Sequence, residues 1–155
     1  RDYVRFVNEE MGCPVGFCYP MVDNGGYYDK GANAVSSLKP SEIVQFYSRA
    51  IELKRDHSRI TNTDSFLRES IAYTLGRQVS PCKAGGCVVW VDWEGSVQPC
   101  FNRGTIRLNN GAHLWGDFDA SECNACFNQC FREPSIVNGN IANAIRDWRL
   151  LRNLV

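Results

Sequence analysis

Five cysteines spaced around one glycine constrain this chain more than any other feature. Cys82, Gly95 and Cys100 stand as Cys-x12-Gly-x4-Cys, and Cys123-x2-Cys126-x3-Cys130 follows after a long gap. Cysteine thiolates are soft donors that suit zinc or iron–sulfur clusters. The spacing divides the donors between a β-hairpin and a later Cys-rich turn. A metal centre here therefore requires a fold that draws two separate pieces of backbone to one place.

The chain has eight cysteines, which admit two plainer readings. A disulfide framework belongs to short secreted chains. The length, the lack of a secretory leader pattern and the α/β patterning of the first half speak against it. Buried free thiols suit Cys18, inside the apolar run Val15-Gly16-Phe17-Cys18-Tyr19, and Cys13. They do not suit five thiols at ligand spacings.

With 155 residues the chain is one medium domain or two small ones, long enough for a real core. Seventeen acids balance 17 bases, so there is no electrostatic case for nucleic acid or an anionic membrane. No apolar run approaches the roughly 18 residues of a membrane span. A cytoplasmic location is expected. The sequence opens at Arg1 in mid-helix pattern, and a piece of a longer protein is expected.

Along the first half, Tyr3, Val4, Val7 and Met11 recur at helical spacing and Gly12 stops them. A buried strand is expected over 14–19, ended by Pro20, with a loop from Asp23-Asn24-Gly25-Gly26 to Gly31. Pro40 suits the first turn of a helix over 40–56, whose periodic face is Ile43, Phe46, Tyr47, Ala50, Ile51 and Lys54. Ile60–Thr63 reads as a short strand. Thr63 or Asp64 then caps a helix carrying Leu67, Ile71 and Leu75 and ending at Gly76. Helix–strand–helix–strand–helix is the pattern of a parallel α/β unit.

The second half changes character. Val88–Asp92 is β-branched and aromatic, Glu94-Gly95 supplies a turn that tolerates positive φ, and Ser96–Gln98 returns as the partner strand. Cys82 and Cys100 then lie at the same open end of the hairpin. Residues 102–119 read as loop. Ile141, Ala144, Ile145, Trp148 and Leu151 mark a terminal helix from near Asn140.

The stretch Pro81-Cys82-Lys83-Ala84-Gly85 … Val91-Asp92-Trp93-Glu94-Gly95-Ser96-Val97-Gln98-Pro99-Cys100 resembles the C-terminal SPASM/twitch region of radical S-adenosylmethionine enzymes. There a Cys-x(9–15)-Gly-x4-Cys hairpin and a later Cys-x2-Cys build an auxiliary [4Fe–4S] cluster. Residues 1–75, with the strand ending in Tyr19-Pro20, are similar to the last strand–helix units of that family's partial (β/α)6 barrel. The resemblance implies an α/β chain. Residues 1–78 end a partial (β/α) barrel, and 79–155 form a β-hairpin-based SPASM/twitch-like cluster domain with a closing helix. The implied function is that of the C-terminal part of a radical S-adenosylmethionine enzyme, whose cluster binds substrate or passes electrons.

Two departures shape that implication. The Cys-x3-Cys-x2-Cys that holds the S-adenosylmethionine-cleaving cluster is absent, so S-adenosylmethionine binding belongs to the full-length protein and its N-terminal half is the missing partner. The full SPASM series Cys-x2-Cys-x5-Cys-x3-Cys also runs out after Cys-x2-Cys-x3-Cys, so one cluster fits better than two. The twitch pattern implies Cys82, Cys100, Cys123 and Cys126 as ligands, with Cys130 a fifth candidate that could replace one of them. Cys87 points with Cys82 only if Ala84-Gly85-Gly86 folds back, and a buried strand position is its plainer reading. The substrate, small molecule or peptide, is not readable.

Zinc is the rival metal, since four thiolates serve zinc and iron alike, and a non-catalytic zinc module with four cysteine ligands is the alternative function. The x12-Gly-x4 gap favours the cluster, because zinc knuckles hold paired cysteines two to four residues apart. Lys83, Arg103 and Arg132 are charges that could tune a cluster, though solvated positions are the plainer expectation. His57 at a helix end and His113 in a Gly-rich loop read as surface histidines, and Asp23–Gly26 as an ordinary loop that could sit at a barrel's active face. Trp90, Trp93, Trp115 and Trp148 are expected as core or cluster-shielding aromatics.

Overall fold

A computed structural model of the chain describes residues 2–20, 38–56, 59–100, 123–124, 126–139, 141–143 and 145. The expected loops at 23–31 and 102–119, His57, His113, Arg103, Trp115 and Trp148 lie outside the described residues. The elements, in chain order, are α1 (Asp2–Glu9), α2 (Pro40–Arg55), α3 (Asp64–Thr74), β1 (Trp90–Val91), β2 (Val97–Gln98) and α4 (Gln129–Gly139). Among the described residues, no helix is long and apolar enough to cross a membrane.

The helices begin where the sequence supplies caps. Pro40 opens α2, and the Glu42 carboxylate reaches back 2.7 Å to accept the Lys39 N–H. Of the two expected caps of α3, Thr63 is the one used: its hydroxyl oxygen accepts the Phe66 N–H at 3.2 Å. Gly12, at φ +66°, ends the first turn-and-helix segment in the left-handed conformation expected of it. The buried face of α1 is narrower than its periodicity suggests, since only Val4 is buried while Tyr3 and Met11 stay exposed.

α2 and α3 pack on each other through Tyr47, Ala50, Ile51, Phe66 and Leu67, and Phe127 and Ile136 from the region of α4 complete the same core. Aromatic rings dominate it. Tyr19 stacks on Tyr47 at 5.9 Å and meets Phe127 edge-on at 5.3 Å, and Phe127 stacks on Phe66 and Tyr73. This core is common to residues on both sides of position 78.

Where two parallel strands are expected, Val15 and Ile60 form a parallel bridge, with α2 in the connection. Val15 N–H donates to the Arg59 carbonyl, and the Val15 carbonyl accepts from Thr61 N–H, each at 2.9 Å. The pairing then passes to a side chain. Asn62, fully buried, accepts the Phe17 N–H on Oδ1 at 2.7 Å and donates Nδ2 to the Phe17 carbonyl at 3.0 Å. That substitution frees the Thr63 N–H, which donates to the Glu133 carboxylate of α4. The close approach also explains Gly16, where a Cβ would stand 2.9 Å from Thr61 Oγ1.

The segment alternates as a strand does, so Val15, Phe17 and Tyr19 turn inward while Cys18 is exposed. The expected burial of Cys18 is corrected on that ground. Cys13, just past the helix stop, is exposed too.

The hairpin forms about its expected turn, with Trp90 opposite Gln98 and Val91 opposite Val97. Asp92 holds the reversal together: its Oδ1 accepts the Glu94 N–H at 3.0 Å and the Ser96 N–H at 2.8 Å, and Gly95 takes φ +77°. The strands are two residues each. Trp93, expected as a core or shielding ring, is 86% exposed because it sits in this turn, whereas Trp90 packs beside Cys82.

A helix not expected from the sequence precedes the expected terminal one. α4 starts at Gln129 and takes in Cys130, with the Asn128 side chain accepting the Cys130 N–H at 2.9 Å. Pro134 lies inside it and masks the helix in a reading that treats proline as a boundary. Residues 141–143 and 145 are also helical.

Candidate metal centre

The two cysteine-bearing pieces of backbone meet. The Cys82 N–H donates to the Cys123 carbonyl at 2.9 Å, and the two residues form an antiparallel bridge. Cys82 is buried with Ala84 and Phe131, and Cys100, Cys123, Val88 and Trp90 pack around that group. Three of the five sequence-predicted ligands, Cys82, Cys100 and Cys123, therefore belong to one apolar cluster with Phe131 of α4.

Cys87 joins them through a turn that sequence spacing left open. Ala84-Gly85-Gly86 does fold back: the Gly86 and Cys87 N–H groups both donate to the Lys83 carbonyl at 2.9 Å, and Gly85 takes φ +88°. Ser135 Oγ then lies 3.9 Å from Cys82 Sγ and 3.8 Å from Cys87 Sγ while accepting the Lys83 N–H at 2.8 Å. The signal for Cys87 is Gly85-Gly86 immediately before it, which permits the tight reversal.

Cys126 and Cys130 are placed differently. The Cys126 thiol lies near Tyr73, whose phenol is raised first by burial and then by that thiol. Cys130 is exposed in the first turn of α4; burial and then the nearby Cys18 thiol push it upward. Cys18 itself donates to Gln129 Oε1 at 3.1 Å. Cys130 thus stands with Cys18 rather than with Cys82. All eight cysteines are free thiols, and among the described residues no three His, Cys, Asp or Glu side chains stand close enough to hold one metal ion.

Arg132 connects the pieces. Expected as a solvated charge, it is wholly buried. Its Nη1 donates to the Ser80 carbonyl, Nε to the Cys126 carbonyl at 3.0 Å and Nη2 to Asn124 Oδ1 at 3.0 Å. The guanidinium also lies 5.3 Å from the Phe127 ring centroid. Ser80 precedes Cys82 and Asn124 follows Cys123, so one side chain straps both cysteine segments to α4.

Burial pushes the Cys82 thiol up, and the Ala84 backbone N–H, Arg132 and Ser135 each oppose this. Metal-free Cys82 is consequently a protonated thiol at neutral pH that must release its proton to bind a metal. As donors the thiols suit a soft metal, with a backbone N–H on one sulfur, an apolar surround and, among the described residues, no competing carboxylate in the group, but here they do not stand close enough together to hold one ion. Compared with protein-family models, with curated proteins and with solved structures, the chain has no match.

Proposed function

We propose that this chain is the C-terminal part of a radical S-adenosylmethionine enzyme and holds an auxiliary [4Fe–4S] cluster. The observation that carries the reading is the junction of the Cys82 and Cys123 backbones, with Cys100 packed beside them. The proposed ligands are Cys82, Cys100 and Cys123, completed by Cys126 as the cysteine spacing has it or by Cys87 as the fold-back turn allows. Cys130, beside Cys18, is left out. The parallel bridge between Val15 and Ile60 across α2 supports the partial-barrel reading of the first half.

A cluster held there by four thiolates would supply electron transfer, and one held by Cys82, Cys100 and Cys123 alone would leave an iron open for substrate. The chain's own residues do the rest: Arg132 and Ser135 hold the thiol-bearing segments, Phe131 and Trp90 limit water, and the Ala84 N–H stabilises charge on sulfur. Cleavage of S-adenosylmethionine belongs to the N-terminal half.

Anaerobic purification tests the reading. A brown protein with broad absorbance near 400 nm and about four irons per chain is expected. A colourless protein with about one zinc per chain would replace the cluster with the zinc module. Cys82→Ala and Cys100→Ala lose the metal, whereas Cys18→Ala and Cys130→Ala keep it; loss from Cys130→Ala would restore that residue to the ligand set.

A further inference from the structure

A guanidinium taken wholly out of water normally finds a carboxylate, because an uncompensated buried charge is expensive. Arg132 is fully buried, and its partners among the described residues are two backbone carbonyls and one carboxamide, all neutral. The neighbouring acid does not answer it: the Glu133 carboxylate accepts from Thr63 N–H, Gln129 Nε2 and Asn62 Nδ2. Among the described residues, the hydrogen bonds of Arg132 are met and its charge is not. Nε, Nη1 and Nη2 each point at a segment that carries cysteines, so the side chain is not arranged as an open fork for a diffusible anion.

One source of negative charge lies within reach. The field of Arg132 acts on the Cys82 thiol, and the segments it grips hold Cys82, Cys123 and Cys126. In a thiolate-only site the sulfur charges outnumber those of the metal, so the filled centre is an anion. We infer that Arg132 is the internal counter-ion of an anionic metal–thiolate centre, a positioning residue that ties the cysteine segments to α4 and balances their charge once metal is bound. The inference rests on the metal-centre reading but not on which soft metal is native.

Its logic separates the metal-free and filled states. In the metal-free protein Arg132 is a buried cation whose partners among the described residues are neutral, and it adds little or costs stability. In the filled protein the same cation faces a net negative centre. A residue that served only as a strap would support both states alike.

The test uses the whole 155-residue chain, reconstituted anaerobically with Co²⁺ and read by thiolate-to-cobalt absorbance under chelator competition, with thermal unfolding in parallel. Arg132→Met is expected to weaken cobalt binding about 10–100-fold, the range seen when groups behind a metal's ligands are removed. Its metal-bound form is expected to lose more stability than its metal-free form. Arg132→Lys keeps the charge without the fork and is expected to recover most of the affinity. Asn124→Ala removes one strap contact and keeps the charge, and is expected to change affinity little.

Wild-type affinity in Arg132→Met overturns the inference. So does a folded Arg132→Lys that binds as weakly as Met, since that assigns Arg132 to strapping alone. Should Arg132→Met fail to fold, the Lys and Asn124→Ala variants still decide between those outcomes. Failure of the wild-type chain to bind cobalt through thiolates overturns the metal centre itself, and is read before any variant is made.

Discussion

The helical region and the cysteine region of this molecule are held by different forces. Around α2 and α3, large apolar and aromatic side chains interlock, and Tyr47, Phe66 and Leu67 are completely buried. Around Cys82 the buried apolar group is Cys82, Ala84 and Phe131, and the sheet is a pair of two-residue strands. That region relies instead on polar ties: Arg132 to Ser80, Asn124 and Cys126, Ser135 to Lys83, and Asp92 within the turn. A two-stranded hairpin is marginal in water without packing or a staple. The contrast teaches that the first region has the surface to hold itself, while the second has the chemistry to be held by a ligand.

Metal removal is the largest test of that contrast. Chelation or Cys82→Ala is expected to abolish hydrogen-exchange protection in β1, β2 and at Cys82 and Cys123 while α2 and α3 stay protected. Uniform loss across both regions would erase the distinction. Lowering pH is expected to act in the same sense on metal binding, because thiols must deprotonate to ligate; chelator-competition affinity measured from pH 9 downward checks it. The raised Cys82 thiol makes proton competition stronger than at an ordinary cysteine.

The next largest effect belongs to the other region. Phe66→Ala removes a ring that contacts both Tyr47 and Phe127 and is expected to cost about 3–5 kcal/mol by chemical denaturation. Because Phe127 and Ile136 join that core, some of the loss is expected to reach α4 and with it metal affinity. Asn62→Ala strips both partners from the Phe17 backbone and is expected to cost about 2–4 kcal/mol. A cost well under that would mean that Phe17 finds another partner.

Tyr47→Phe is the smallest at neutral pH and grows as pH rises. Among the described residues the buried Tyr47 hydroxyl has no hydrogen-bond partner in good geometry; the adjacent Ser70 hydroxyl donates to the Phe66 carbonyl at 2.8 Å. Burial raises the phenol above its usual value of 10.0, and the nearness of Ser70 offsets only part of that. The folded chain then keeps this proton where the unfolded chain has lost it, so the group's stability is full below the usual phenol range and is lost as pH rises through it. Tyr47→Phe is expected to shift stability by less than about 1 kcal/mol at pH 7 and to reduce the alkaline loss. Denaturation midpoints at pH 7 and pH 10.5 check both.

Local chemistry was legible in the residues. Pro40, Thr63, Gly12 and Gly95 stand where caps and a reversal require them, and the apolar periodicity of 40–56 and 64–75 is realised as two packed helices. What escaped depended on partners distant in sequence. Asn62 completes a ladder with Phe17, Pro134 is carried inside α4 by packing on both sides, and Cys87 reaches Ser135 only after the Gly85 turn. Nothing in Phe131-Arg132-Glu133 announces that the arginine faces inward.

The order of residues alone sets which atoms are available: soft donors at spacings that let thiols converge, and caps that start the helices. Those are properties of neighbours along the chain, governed by side-chain chemistry and backbone preference. Which thiols share a cluster, and which charge is buried beside them, is settled by packing in three dimensions. That choice depends on how α4 docks against the Phe66–Phe127 core, since one helix orientation turns Phe131, Arg132 and Ser135 toward Cys82 and leaves Cys130 outside with Cys18.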